Sequence, residues 1–243
     1  MIARFLSWRI KPSQFPSRFP IHTKSTPRRM SEVTIDSFEP LKQEEAKYVK
    51  PFRLQYTQNE KKKVWECTKI HDSVSVILYN KTRDVILFVK QFRPAVMFAS
   101  RLKDPNSKEL SETTSTGYTL EMCAGILDKD HLNPKQVAKE EILEETGYDV
   151  PVDNIQFISS FRSAVGSSGS EQYLFYCQIE DNQKTANGGG VGDEVIEVVE
   201  MKVEEAEKLL YVKDGLNGSE SRPVSMLFAL SWFVYKQYPL IKN

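Results

Sequence analysis

Between Asn133 and Gly147 the sequence spells out one helix, and that helix gathers more negative charge than a helix holds comfortably. Asn133 is a good N-cap, Pro134 suits a first helical position where no N–H is needed, and Gly147 supplies a stop. Glu141, Glu144 and Glu145 fall at i, i+3 and i+4, so at 3.6 residues per turn they share one side. Such neighbours repel by roughly a few tenths of a kcal/mol per pair. Two readings are open at this point. The glutamates form a solvated acidic face, or they gather a divalent cation. Mg²⁺ fits the second, because it takes carboxylate oxygens, keeps several waters and completes its shell with substrate phosphates. Ala138, one turn before Glu141, leaves room for the incoming loop to approach.

The surroundings read as alternating strands and helices. Residues 64–70, 74–79, 85–91, 118–123, 155–161, 173–179 and 195–201 have the apolar, β-branched composition of strands. The nearly all-apolar run 85–91 is expected to be central, and residues 80–84 form the turn before it. Residues 100–116 are polar and read as a loop or insertion. Gly188, Gly189 and Gly190 are expected to form a mobile loop before the last strand. Two helices close the chain, over 203–212 and 223–237. Strands and helices interleave irregularly, which favours an α/β fold with a mixed sheet and helices on both faces over a doubly wound parallel one.

Composition narrows the possibilities. The chain has 243 residues, 40% hydrophobic and 27% charged, which is ordinary for a soluble protein and long enough for one or two domains. No apolar run approaches a membrane span; the longest, 226–235, is broken by Ser231. Formal net charge is zero, which gives no electrostatic case for nucleic acid. Residues 1–30 nevertheless hold seven of the 33 basic residues and none of the 33 acidic ones, so the remainder has 26 against 33 and a net charge of −7. This leader carries Phe5, Leu6, Trp8 and Ile10 among Arg4, Arg9 and Lys11. It reads as a transit peptide to the mitochondrial matrix or as a plain tail, with Met30 as a second start for a cytoplasmic form. Cys67, Cys123 and Cys177 are odd in number and widely spaced, and read as reduced thiols.

The segment 125–148, GILDKDHLNPKQVAKEEILEETGY, then resembles the Nudix box. That box reads Gly, five residues, Glu, seven residues, then Arg-Glu-apolar-x-Glu-Glu-x-Gly-apolar. Glu141, Ile142, Leu143, Glu144, Glu145, Thr146, Gly147 and Tyr148 match its second half at every defined position. The first half departs. Glu140 occupies the Arg position with Lys139 just before it, the loop is one residue longer, and the first Glu is missing, with His131 and Leu132 in that region. The resemblance implies that the arginine, which orients a glutamate, is replaced imperfectly by Lys139. These departures bear on turnover more than on metal binding.

Other segments are similar to the branch of Nudix hydrolases that holds ADP-ribose and UDP-glucose pyrophosphatases, from about residue 51 to 238. They include Lys63-Val64-Trp65-Glu66, Lys90-Gln91-Phe92-Arg93-Pro94-Ala95, Glu121-Met122-Cys123-Ala124-Gly125, the Gly triplet and Val195-Ile196-Glu197-Val198-Val199. The Ser73-Val74, Arg93-Pro94-Ala95 and 195–199 surroundings favour the UDP-glucose type. The resemblance implies a Nudix α/β/α sandwich over 73–240 and an N-terminal β arm over 31–72 that pairs subunits into a homodimer. It implies metal at the carbonyl of Ala124 and at Glu141, Glu144, Glu145 and Glu194, with Glu194 or Glu144 accepting the proton in catalysis. Asp193 stands where it could help Glu194. Arg93, Glu121, Ser170 and Glu171 are the implied substrate contacts, the last two in a binding loop over 163–171. Arg93 is otherwise read as a surface salt bridge. Trp65 is implied to stack on the nucleobase, and is otherwise read as a core or dimer-interface residue. His71 and Asp72 are adjacent in what reads as a strand, so they face opposite ways and are assigned structural roles.

The implied reaction is Mg²⁺-dependent hydrolysis, with Mn²⁺ as a substitute, of a nucleoside diphosphate sugar: UDP-glucose to UMP and glucose 1-phosphate. Its rivals are ADP-ribose cleaved to AMP and ribose 5-phosphate, and a protein that binds nucleotide sugars without cleaving them. Neither nucleic acid nor membrane is an expected partner.

Overall fold

The computed structural model describes residues 42–101, 117–212 and 220–242. The leader 1–30, the beginning of the arm and nearly all of the polar segment 100–116 lie outside the described residues. Strands β1 (Lys50–Gln58) and β2 (Lys61–Lys69) form an antiparallel hairpin that is a sheet of its own. Its turn residues Asn59 and Glu60 take φ of 51° and 61°, the pairing of two left-handed residues whose twist suits a two-residue hairpin. Alternation sorts the hairpin into two faces. Phe52 lies opposite Cys67 and Leu54 opposite Trp65 on the apolar face, while Arg53 and Glu66 pair at 2.7 Å on the polar one. Sequence reading anticipates β2 closely and places β1 only within the arm.

The main sheet is built around a fork. Strands β3 (Ser73–Asn80) and β4 (Val85–Phe92) pair only near their connecting turn, from Asn80 with Val85 to Leu78 with Leu87, and then diverge. Strands β5 (Tyr118–Glu121) and β6 (Cys123–Ile126) fill the opening. The first pairs with the end of β4 and the second with the start of β3. A single strand over 118–123 was expected. The chain breaks at Met122 instead, because one straight strand cannot pair with two partners that diverge. Strand β7 (Ile155–Arg162) is antiparallel to β8 (Glu171–Ile179), β8 runs parallel to β3, and β9 (Ile196–Lys202) pairs along β4. The result is a seven-stranded mixed sheet.

Helices cover both faces, as expected. Helix α2 (Pro134–Glu141) continues through a π turn, Ile142–Thr146. Val137, Ala138 and Ile142 pack against Val74, Val76, Leu78 and Phe175. On the opposite face, helix α4 (Val224–Trp232) and the π turn Phe233–Gln237 set Met226, Ala229, Leu230 and Phe233 against Ile77, Tyr79, Phe88 and Tyr176. Alternate residues of β3 thus feed the two cores. Each fully buried Val, Leu, Ile or Phe side chain contributes about 1.5–3 kcal/mol. Helix α1 (Pro94–Arg101) was not anticipated. Helix α3 (Val203–Lys208) is shorter than the expected 203–212, and the last helix runs on as α5 (Tyr238–Lys242). Among the described residues no helix is long and apolar enough to cross a membrane. The three cysteines are free thiols.

Candidate active site

Strand direction gathers the site at one end of the sheet. β3 runs antiparallel to β4 and β9 antiparallel to β4, while β8 is parallel to β3. The start of β3, the end of β4 and the starts of β8 and β9 therefore share the open end of the fork. Arg93 follows β4, Glu194 precedes β9, and Ala124 and Gly125 lie on β6 inside the opening.

The acidic helix is aimed into that opening by its caps. Asn133 accepts from the backbone N–H of Lys135 and Gln136 at 3.0 Å, and Gln136 returns a bond to the Asn133 N–H at 2.9 Å, which closes a capping box. At the other end Gly147 takes φ of +78° and donates to the Leu143 carbonyl at 2.9 Å. The π turn lies where Glu144 and Glu145 are carried; such wide turns recur at functional sites. It leaves Glu145 only 3% exposed, accepting the Ala124 N–H at 3.0 Å, whereas Glu144 remains half-buried. Glu141 lies directly against Gly125. A Cβ on Gly125 would stand 1.9 Å from Glu141 Oε1, so only glycine leaves this carboxylate its place.

The Gly triplet is not a free loop. The N–H groups of Gly189 and Gly190 donate to the carbonyls of Glu145 and Glu144 at 2.8 and 3.0 Å, and those of Thr185 and Ala186 to the carbonyl of Gly147. These bonds satisfy the unpaired carbonyls at the helix end. They also carry the exposed Glu194 to the acidic helix, in a turn where Glu194 Oε2 accepts the Val191 N–H at 3.0 Å. Asp193 beside it is exposed.

The crowding has an electrostatic consequence. Burial, followed by repulsion from Glu145, Glu144 and Glu194, pushes the Glu141 carboxyl up to about 8. Burial pushes Glu145 up to about 7; hydrogen bonds from Cys123 and Ala124 act against this, while Glu121 and Glu194 add to it. Arg93 donates Nε and Nη2 to the two oxygens of Glu121, both at 2.8 Å. That bond raises the Arg93 pKa first, and Glu145 and Glu194 add to it. Arg93, Glu121, Glu141, Glu144, Glu145, Glu194 and Ala124 thus form one group. The salt-bridge reading of Arg93 is correct as far as Glu121, and it leaves the remaining three of the five guanidinium N–H groups for a ligand.

Two expectations need correction. Lys139 does not serve the glutamates; it pairs with Asp149 at 3.1 Å, while Glu140 at the Arg position is met by Lys129 at 2.5 Å. Lys129 was missed because it reaches the helix from the preceding loop, eleven residues before Glu140. His71 and Asp72 are not in a strand but in the link between β2 and β3. Asp72 is structural, accepting the Glu171 N–H at 2.6 Å. The expected loop is real, and Ser170 closes its neck on Ser163 at 2.9 Å while Glu171 pairs with Arg162 at 3.3 Å. Among the described residues no hydrogen bond joins Ser170, Glu171 or Trp65 to the acidic helix, although they stand at the same end of the sheet.

Among the described residues no three carboxylate, imidazole or thiol groups already converge as a closed metal cage. The donor set nevertheless fits a hard divalent cation. The buried Glu145 and the half-buried Glu141 have raised pKa values and no ion-pair partner among the described residues, and Mg²⁺ needs only one or two protein carboxylates besides water and phosphate.

A sheet forked open over a glutamate-bearing helix is the Nudix architecture. The family model described as the NUDIX domain matches residues 69–219. The uridine diphosphate glucose pyrophosphatase NUDT14 of Bos taurus is 34% identical over 200 residues, covering 76% of this chain and 88% of its own. That of Mus musculus is 31% identical over 206 residues, covering 79% and 90%. A GDP-mannose pyrophosphatase of Klebsiella pneumoniae is 31% identical over 144 residues, covering 59% and 63%. A crystal structure of an ADP compounds hydrolase has the same fold, with a TM-score of 0.54 at 15% identity over 80% of this chain and 87% of that one. The chain belongs to the Nudix hydrolases.

Proposed function

We propose that this enzyme hydrolyses the diphosphate of a nucleoside diphosphate sugar, UDP-glucose first among them, to UMP and glucose 1-phosphate. The observation that carries the reading is the pair of crowded carboxylates beside Arg93, Glu145 buried and Glu141 half-buried, both with raised pKa values. The substrate named for the relatives that match most of the chain supports the sugar.

Glu141, Glu145 and the Ala124 carbonyl would hold Mg²⁺, with Glu144 and Glu194 at hand, and Mn²⁺ would serve the same donors. Bound there, the cation neutralises diphosphate charge and lowers the pKa of water. Arg93 holds the diphosphate through its outward N–H groups, while Glu121 fixes its other edge. Glu194, exposed and next to the acidic helix, accepts the proton of the attacking water; Glu144 is the alternative acceptor. Product analysis tests the reaction. UMP and glucose 1-phosphate are expected with Mg²⁺ and neither with chelator; UDP and glucose would contradict attack on the anhydride.

The raised carboxyls give a second test. Both lie above their ordinary value of 4.5, so from there up to 7 and 8 the folded state holds more protons than the unfolded chain. The metal-free protein should therefore lose stability as pH rises across that window. Cation binding at pH 7 should release protons. Calorimetry in two buffers of different ionisation enthalpy reads this directly, and identical heats would remove these carboxylates as ligands.

The hairpin supports the homodimer. Phe52 and Leu54 are 47% and 49% exposed on one face, and an isolated two-stranded sheet is marginal in water. Sedimentation should give a dimer, and Leu54→Lys a monomer; a monomeric native chain would reject the arrangement.

A further inference from the structure

We propose that Trp65 is a positioning residue that clamps the 163–170 loop, so that its indole acts on substrate both by its face and through the loop it holds. This rests on the nucleotide-sugar reading above and on the substrate contacts that the Nudix resemblance implies for Trp65 and the 163–171 loop. Among the described residues the main sheet offers β1 and β2 no strand partner. Among the described residues, two hydrogen bonds run from the hairpin to the body, and both go to the same loop. Trp65 Nε1 donates to the Gly166 carbonyl at 2.9 Å, and the Thr68 N–H donates to the Ser167 carbonyl at 2.8 Å.

The loop needs such support. Ala164 takes φ of +44°, a conformation that costs energy for a residue with a Cβ. Its carbonyl receives the N–H groups of Ser167, Ser168 and Gly169 at 2.8, 2.9 and 3.3 Å. Ser163 and Ser170 hydroxyls close the neck at 2.9 Å. This tight coil touches the hairpin through carbonyls 166 and 167, the two that Trp65 and Thr68 hold. The clamp also fixes what Trp65 can do. Its single side-chain donor, the indole N–H, is committed to Gly166, so a base or sugar meets the ring face of this half-exposed residue and not its N–H.

Trp65→Phe separates the two roles, since it keeps an aromatic face and removes the N–H. Thr68→Pro cuts the second bond without touching a ring, at an N–H that the hairpin ladder does not use. Hydrogen exchange on the full-length metal-free protein should show the amides of Ser167, Ser168 and Gly169 exchanging roughly three- to tenfold faster in either variant, the scale of one neutral hydrogen bond. KM for UDP-glucose should rise by a similar, roughly three- to tenfold, factor in both while kcat changes little. Native exchange in both variants overturns the clamp, and if KM still rises in Trp65→Phe alone, stacking is the whole role. Faster exchange with native KM overturns the link from loop to substrate, while leaving the diphosphate chemistry of the acidic helix standing.

Discussion

Glu145→Gln should lower kcat on UDP-glucose by at least about a hundredfold, the scale seen when a catalytic metal's ligand is weakened. The change is nearly isosteric. The amide oxygen can still accept the Ala124 N–H now bound at 3.0 Å, so the fork keeps its shape. What disappears is a charge in a place where only 3% of the residue reaches water. Burial already holds this carboxyl up near 7, so at pH 8 its ionised form works against folding. Glu145→Gln should therefore melt no lower than the native protein without metal at pH 8, while it loses turnover. This paired signature separates a ligand from a structural acid, whose removal costs stability. Near-native turnover at limiting Mg²⁺ would end the assignment.

Gly125→Ala should have an effect of similar size by a different route. The added methyl group would meet Glu141 Oε1 at 1.9 Å and Cδ at 2.1 Å. The colliding atoms are the far end of a flexible side chain, so the fold survives by swinging Glu141 aside. Cation affinity and kcat should then both fall by roughly ten- to a hundredfold, as expected when a ligand is displaced rather than deleted. Calorimetric titration with Mg²⁺ and a melting curve read the two consequences separately. An unchanged affinity would show that Glu141 is not a ligand.

The acidic helix was legible because its information is local. Asn133, Pro134 and Gly147 fix its ends, and the box residues follow at fixed spacing, so the site could be placed before its geometry was known. The strands were legible for the same reason. What stayed hidden depends on partners distant in sequence. The break at Met122 exists only because β3 and β4 diverge, which no period within 118–123 reports. The Gly triplet looked like slack chain, yet its N–H groups complete the end of a helix more than forty residues earlier. Lys139 is next to Glu140 in sequence, but on the helix it faces Asp149, and the cation that meets Glu140 is Lys129, eleven residues earlier. Helix α1 was missed because Pro94 to Arg101 is short and leads into a polar segment. The role of Trp65 was half visible: an aromatic face can be expected from sequence, but the acceptor of its N–H, 101 residues away, cannot.

Cleavage of a nucleoside diphosphate sugar at the carboxylates under the fork has a direct readout. It is tested most directly by kcat/KM for phosphatase-coupled phosphate release from UDP-glucose, GDP-mannose and ADP-ribose with Mg²⁺, native enzyme beside Glu145→Gln. Release from UDP-glucose is expected at the highest kcat/KM of the three, lost in the variant. No release from any of the three by the native enzyme, or equal release by the variant, would contradict it.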